Sequence, residues 1–416
     1  MNVRPRRPVS LRVFQGSALA GLMALGGVPA AQGKGEIKAF PEVDPYTKGE
    51  PNSLKEAGYV SFGPFRFGDD HTTEQIENTL GGIPLIWVET EHFKLGSGLP
   101  EYTLGDDARE KERLREELAR LAQRLPEVKP KTRKLDPWLR LHLFAQRLEE
   151  LYARFLIEFG LEEGEFPTAP PDPKKAKGIY MGEGRYLGAS GKYAVLIFDK
   201  KSSLGRYSGA YLGQALQGPT RWHFAAIDSW LVLTAAEFLE GAYVNDSALT
   251  CDVVSAASQN LALGFRSYRV ALPFAVSEGI AHWFAREIDP RYHIFSGLDL
   301  TKVRIKEEWN WAPSVRARVE HEQYPSTSDM LQWSNAEALG WADHLILWSR
   351  MDYLLAREDG AAGKLLRLLK EPPGGELSPE ELAERARQAY RKVSGGELDQ
   401  FDADWGAWVL KTYPKK

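Results

Sequence analysis

The chain has 416 residues and a formal charge of −4, from 53 basic and 57 acidic side chains, with a single cysteine, Cys251. This near-balanced charge carries no electrostatic footprint for nucleic acid, and one cysteine excludes an intrachain disulfide framework. With 43% hydrophobic residues and 12 tryptophans, the chain has ample material to bury in one large or two ordinary domains.

Residues 1–30 read as an export signal. Arg4, Arg6, Arg7 and Arg12 form a basic head, Val13 to Leu25 an apolar stretch, and Val28-Pro29-Ala30 a small-residue cleavage region. A spanning helix needs about 20 mostly apolar residues, and this run is shorter and contains glycine. The expectation is a cleaved signal, a periplasmic or extracellular mature chain, and no stable membrane insertion. Pro8 after Arg6-Arg7 favours ordinary secretion over a twin-arginine route. Without those four arginines, 49 basic face 57 acidic residues, a formal charge of −8.

Residues 31–82 are interrupted by Pro41, Pro45, Pro51 and Pro64, which predicts loops and short strands. Ile83 to Val88 and Glu91 to Leu95 read as strands with a tight connection. Asp106 to Leu125 places Leu114, Leu118, Leu121 and Leu125 on one side of a charged helix, and Asp136-Pro137 opens a second helix ending near Phe159. The pair predicts a helical hairpin over 106–159 with a solvated charged face. Pro167 to Lys177 reads as a linker. Tyr193-Ala-Val-Leu-Ile-Phe198 is continuously apolar, as in a buried strand, and helical segments are expected from Gly205 and from Trp222. After residue 300 the periodicity predicts helices at Trp333–Arg357, Ala361–Lys370, Pro379–Val393 and Leu398–Lys411.

The segment Leu272-Pro-Phe-Ala-Val-Ser-Glu-Gly-Ile-Ala-His-Trp-Phe-Ala-Arg286 resembles the glutamate helix of gluzincin-type (peptidase MA-like) zinc metallopeptidases, and Glu89-Thr-Glu-His-Phe93 resembles the opening strand of secreted domains of that kind. The resemblance implies an α+β fold with a small N-terminal sheet. It implies a core over 83–300 carrying the hairpin as an insertion, and a helical C-terminal subdomain over 301–416. It makes Glu278 the carboxylate ligand. With eighteen residues between, the HExxH pentad falls on Ser255-Ala-Ala-Ser-Gln259.

An HExxH helix sets two imidazoles one turn apart with a carboxylate beside them as general base. Ser255 and Gln259 are poor zinc ligands, and Ala256 has no group that accepts a proton. The leading expectation is therefore an exported gluzincin-like protein without zinc peptidase activity or a cofactor, binding a peptide, envelope polymer or protein partner through the inherited cleft. A second reading keeps zinc in a rebuilt hydrolase site of Glu278, His282 one turn later, and His223 as the distant third ligand. A third is an envelope scaffold with tightly filled side chains between the two helices.

Other signals read structurally. Asp246 and Asp252 suit the start of the pentad helix, and Cys251 suits a buried, inert thiol. His321-Glu322 begins like HExxH, but position 325 is proline. Gly182-Glu-Gly184 lacks dinucleotide-loop spacing, Gly191-Lys192 lacks the Ser or Thr of a phosphate loop, and no GxSxG elbow occurs.

Overall fold

Tyr193 to Phe198, apolar at every position, is the centre of the structure: all six residues are buried in a strand covered on both faces. The computed structural model describes residues 40–166, 192–239, 245–268, 270–295, 309–336, 339–371 and 377–415, which lie in one unit beginning at Lys38. The expected export signal and the Pro167 to Lys177 linker lie outside the described residues.

In chain order the strands are β1 (Tyr59–Ser61), β2 (Ile86–Thr90), β3 (Phe93–Ser97), β4 (Tyr102–Thr103), β5 (Lys134–Leu135), β6 (Tyr193–Phe198), β7 (Thr220–Phe224) and β8 (Ser229–Ala235). The helices before the pentad are α1 (Pro51–Glu56), α2 (Thr73–Leu80), α3 (Ala108–Leu121), α4 (Pro137–Phe159) and α5 (Lys201–Tyr211). Then follow α6 (Asp246–Gly264), α7 (Phe274–Ile288), α8 (Trp311–Glu320), α9 (Thr327–Met330), α10 (Trp341–Ala356), α11 (Ala361–Leu369), α12 (Pro379–Ser394) and α13 (Leu398–Thr412).

The main sheet has six strands in the order β1-β2-β3-β6-β8-β7. The centre, β3-β6-β8, is parallel and both sides are antiparallel. Alternation along β6 splits the core. Tyr193, Val195 and Ile197 join α4, α6 and α7 in the larger hydrophobic cluster, while Ala194, Leu196 and Phe198 join Trp87 and residues of α2 and α5 in the smaller one. The fold is thus mixed α/β with a sheet between two helical layers, and the sheet extends to Ala235 rather than stopping near the N-terminus.

Two expectations are corrected here. The stretch from Trp222 is a strand: Thr220 to Phe224 pairs antiparallel with β8, Arg221 opposite Val232 and His223 opposite Trp230. The hairpin's charged face is solvated only in part: Glu112, Arg115, Glu116 and Arg120 of α3 are exposed, while α4 buries sixteen residues and packs on β2, β3 and α6. Its start was legible: the Asp136 carboxylate accepts the Leu139 backbone N–H at 3.1 Å, Pro137 opens the helix, and Gly160 closes it in the left-handed region.

Candidate functional site

Helix α6 is unusual in being buried on nearly every side, because β8, α4 and α7 each cover part of it. Small residues (Ala, Ser, Cys, Gly) along its length permit that approach. Asn245 caps it, accepting the Ala248 N–H at 2.8 Å. Asp246, in the first turn, pairs with Arg113 and Arg147, each at 2.7 Å. Burial opposes its ionisation, but the two guanidinium groups outweigh that and hold the carboxyl well below the usual range. Asp252 faces the sheet and accepts the Thr234 hydroxyl at 2.6 Å; burial pushes it up to about 6. The Cys251 thiol donates to the Ala285 carbonyl of α7 at 3.4 Å, and burial pushes it up to about 12.

At the seam between α6 and α7 the two motif positions meet. The Gln259 side-chain amide donates to Glu278 Oε1 at 2.8 Å and reaches the Ser277 carbonyl at 3.4 Å. Ser255, Gln259 and Glu278 are buried, and Ala256 is half-buried. A peptidase zinc does not fit these residues. At the place of the second imidazole stands an N–H donor directed into the carboxylate that would bind the metal, and the general-base position is a methyl group.

One helical turn beyond Glu278 lies His282, whose Nε2 is 3.9 Å from Glu278 Oε2 and shares a 2.8 Å hydrogen bond with Nδ1 of His344 on α10. Ligand atoms of Glu278, His282 and His344 all lie within 4.8 Å of one another. Gly279 permits this convergence, because a Cβ there would stand 2.9 Å from the Leu347 carbonyl of α10. The imidazoles sit among Phe295, Trp311 and Trp341 with His293. Burial drives His282 well below its ordinary value, His344 down to about 4 and His293 to about 3, so all three are neutral near pH 7.

His223 is not part of this group. It stacks against Trp230 and Tyr268, with Nε2 3.7 Å from Asp228. From the same strand it is Arg221 that senses Glu278: burial pushes the guanidinium down and the carboxylate charge opposes that shift. Sequence reasoning missed His344, since a histidine in an apolar helix 62 residues after His282 carries no spacing signal. Arg286 does not approach Glu278; it lies 3.7 Å over the Trp311 ring and donates to the Pro290 and Trp309 carbonyls.

The remaining sequence signals resolve as structure. His321 closes α8. Among the described residues no helix is long and apolar enough to cross a membrane. A depression lies between α3, α4, α6 and α7, where Arg120, Arg154, Glu150 and Glu287 are among the residues lining it with Val254 and Phe284. Comparison of the chain with protein-family models, with curated proteins and with solved structures finds no match.

Proposed function

We propose that this is an exported gluzincin-like protein that does not hydrolyse peptides and acts by binding a peptide, an envelope polymer or a protein partner. The observation that carries the reading is the 2.8 Å hydrogen bond from the Gln259 amide to Glu278. It satisfies a buried carboxylate with a neutral donor where a peptidase needs a metal and a polarised water. Ser255, Gln259 and Glu278 are each buried at that seam. The depression lined by Arg120, Arg154, Glu150 and Glu287 is the surface assigned to that partner, whose charges would exchange with the Arg120–Glu150 and Arg154–Glu287 pairs, each at 2.9 Å.

The test is a zinc-supplemented assay on a fluorogenic peptide library, run beside binding titrations with charged peptides and cell-wall fragments. The expected result is no turnover in either wild type or Glu278→Ala, with at least a tenfold loss of binding in Arg154→Ala. Turnover by the wild type that disappears in Glu278→Ala would overturn the reading.

A second reading has its own observation, the approach of Glu278, His282 and His344 to within 4.8 Å. It is a metal-dependent hydrolase with His344 in the role first given to His223. Tetrahedral zinc with bonds of about 2.0–2.1 Å holds its ligand atoms roughly 3.3 Å apart, so the 2.8 Å imidazole contact has to open on loading. Hydrolysis that requires all three side chains supports this reading; turnover unaffected by His344→Gln excludes it.

A further inference from the structure

The geometry points to a divalent transition-metal site on the β2–β3 turn, built from His92, Glu91 and Glu163 and sharing no residue with the α6–α7 seam. Glu91 and His92 form the turn itself, while Glu163 begins a short 3-10 helix after α4. One ligand atom from each of the three lies within 4.8 Å of the others.

His92 is prepared as a ligand. Its Nδ1–H donates to Glu149 Oε2 at 2.6 Å, and Glu149 also accepts the Thr90 hydroxyl at 2.5 Å and the His92 backbone N–H at 3.0 Å. All three bonds run to Glu149, which therefore faces the ring as an acceptor. A carboxylate on Nδ1 fixes the tautomer that leaves the Nε2 lone pair free. It is also the usual outer partner of a metal-binding imidazole, setting ring orientation and raising basicity. The ring cannot swing away, since it stacks on Tyr152 with centroids 3.7 Å apart.

His92 is 6% exposed, and its Nε2 has no hydrogen-bond partner. That atom points toward Glu163 Oε1, 3.7 Å away. The distance is too long for a hydrogen bond but close to the roughly 3.3 Å between ligand atoms on a tetrahedral ion. Glu163 is held in place by its neighbour Glu165, which pairs with Arg266 at 2.8 Å and Arg367 at 2.7 Å. Glu91 is exposed and supplies the movable ligand and the route of entry. Lys192 sits behind the turn on Glu89 at 2.8 Å, and its charge is felt by Glu149 and Glu91. It offsets part of the negative charge there. One imidazole with two carboxylates selects a borderline ion such as zinc over magnesium or calcium, which take oxygen ligands.

The experiment is anomalous diffraction at the zinc edge from wild-type crystals soaked in zinc, paired with calorimetric zinc titration of the chelator-treated full chain. A peak between His92 Nε2 and Glu163 is expected. In solution, His92→Gln and Glu163→Gln each weaken that binding at least tenfold, and Glu149→Gln, a positioning change, weakens it ten- to hundredfold. No peak at the turn under saturating zinc overturns the site. A peak only at Glu278, His282 and His344, with full affinity in His92→Gln, overturns it too. The wild-type map decides even if a variant fails to fold.

Discussion

Asp252 shows how one side chain can work against the fold that holds it. Its carboxyl is buried beneath β8 with one hydrogen bond, from Thr234, and burial pushes it up to about 6 from an ordinary 3.8. Between those pH values the folded chain holds a proton that the unfolded chain has released. Stability is therefore fully present below about 3.8 and falls as pH rises through 6. One pKa unit corresponds to about 1.36 kcal/mol, so ionised Asp252 costs about 3 kcal/mol at neutral pH. Asp252→Asn, which still accepts from Thr234, is expected to stabilise the protein by up to that amount at pH 7.5 and not at pH 3.5. Urea unfolding midpoints at the two pH values check it. The sequence placed Asp252 near a helix start, where a carboxylate is ordinarily welcome. Its actual burden comes from β8, an element that helix periodicity cannot reveal. Gln259 was more legible: counting from Glu278 assigned it to the ligand position, and the amide does meet that carboxylate.

Among elements, the α7–α10 contact has the sharpest steric limit. At Gly279 a Cβ would meet the Leu347 carbonyl at 2.9 Å, and a backbone atom cannot turn aside as a side chain can. Gly279→Ala is expected to cost about 1–3 kcal/mol by forcing the helices apart, read as a lowered thermal midpoint. The same separation should pull His344 from His282. The glycine was visible in the sequence as half of a Glu-Gly pair and α10 as a helix within Trp333–Arg357, but not that the two pack together. The start of α12 was readable at Ser378-Pro379, where Ser378 caps the helix and Glu381 completes the capping box, whereas the similar box of Thr72 and Gln75 that opens α2 was passed over in a stretch read as loops and short strands. The segment Thr220–Phe224 was misread because its aromatic run suits helix or strand alike, and pairing with β8 decides between them.

At the scale of the whole molecule, three helices of the larger layer, α3, α4 and α6, are joined by a buried ionic network. Arg147 of α4 holds Glu117 of α3 at 2.6 Å and Asp246 of α6 at 2.7 Å, while Arg113 pairs with the same two carboxylates at 2.7 Å each. Removing one member of such a network strands charge in the core, at a cost of about 3–5 kcal/mol. Arg147→Met should therefore lower the urea midpoint steeply, and the double change with Glu117→Gln, which leaves Arg113 paired one-to-one with Asp246, should recover much of the loss. None of these pairings was readable from sequence, because each joins residues at least 30 positions apart apart from the Arg113–Glu117 helical pair. The charged face of α3 looked like a solvated surface, and Glu117 is instead buried. Mixed α/β composition, the central strand β6 and the C-terminal run of helices were legible, since they rest on local periodicity. Strand order and the third histidine were not.

The lone thiol lies between the two helices that carry the motif. Cys251 is fully buried, is held on the Ala285 carbonyl of α7 and is kept protonated by its surroundings, so no reagent meets a thiolate while the helices remain together. With no second cysteine to confuse the signal, the rate at which a thiol-specific dye attaches becomes a clock that ticks only when α6 and α7 part.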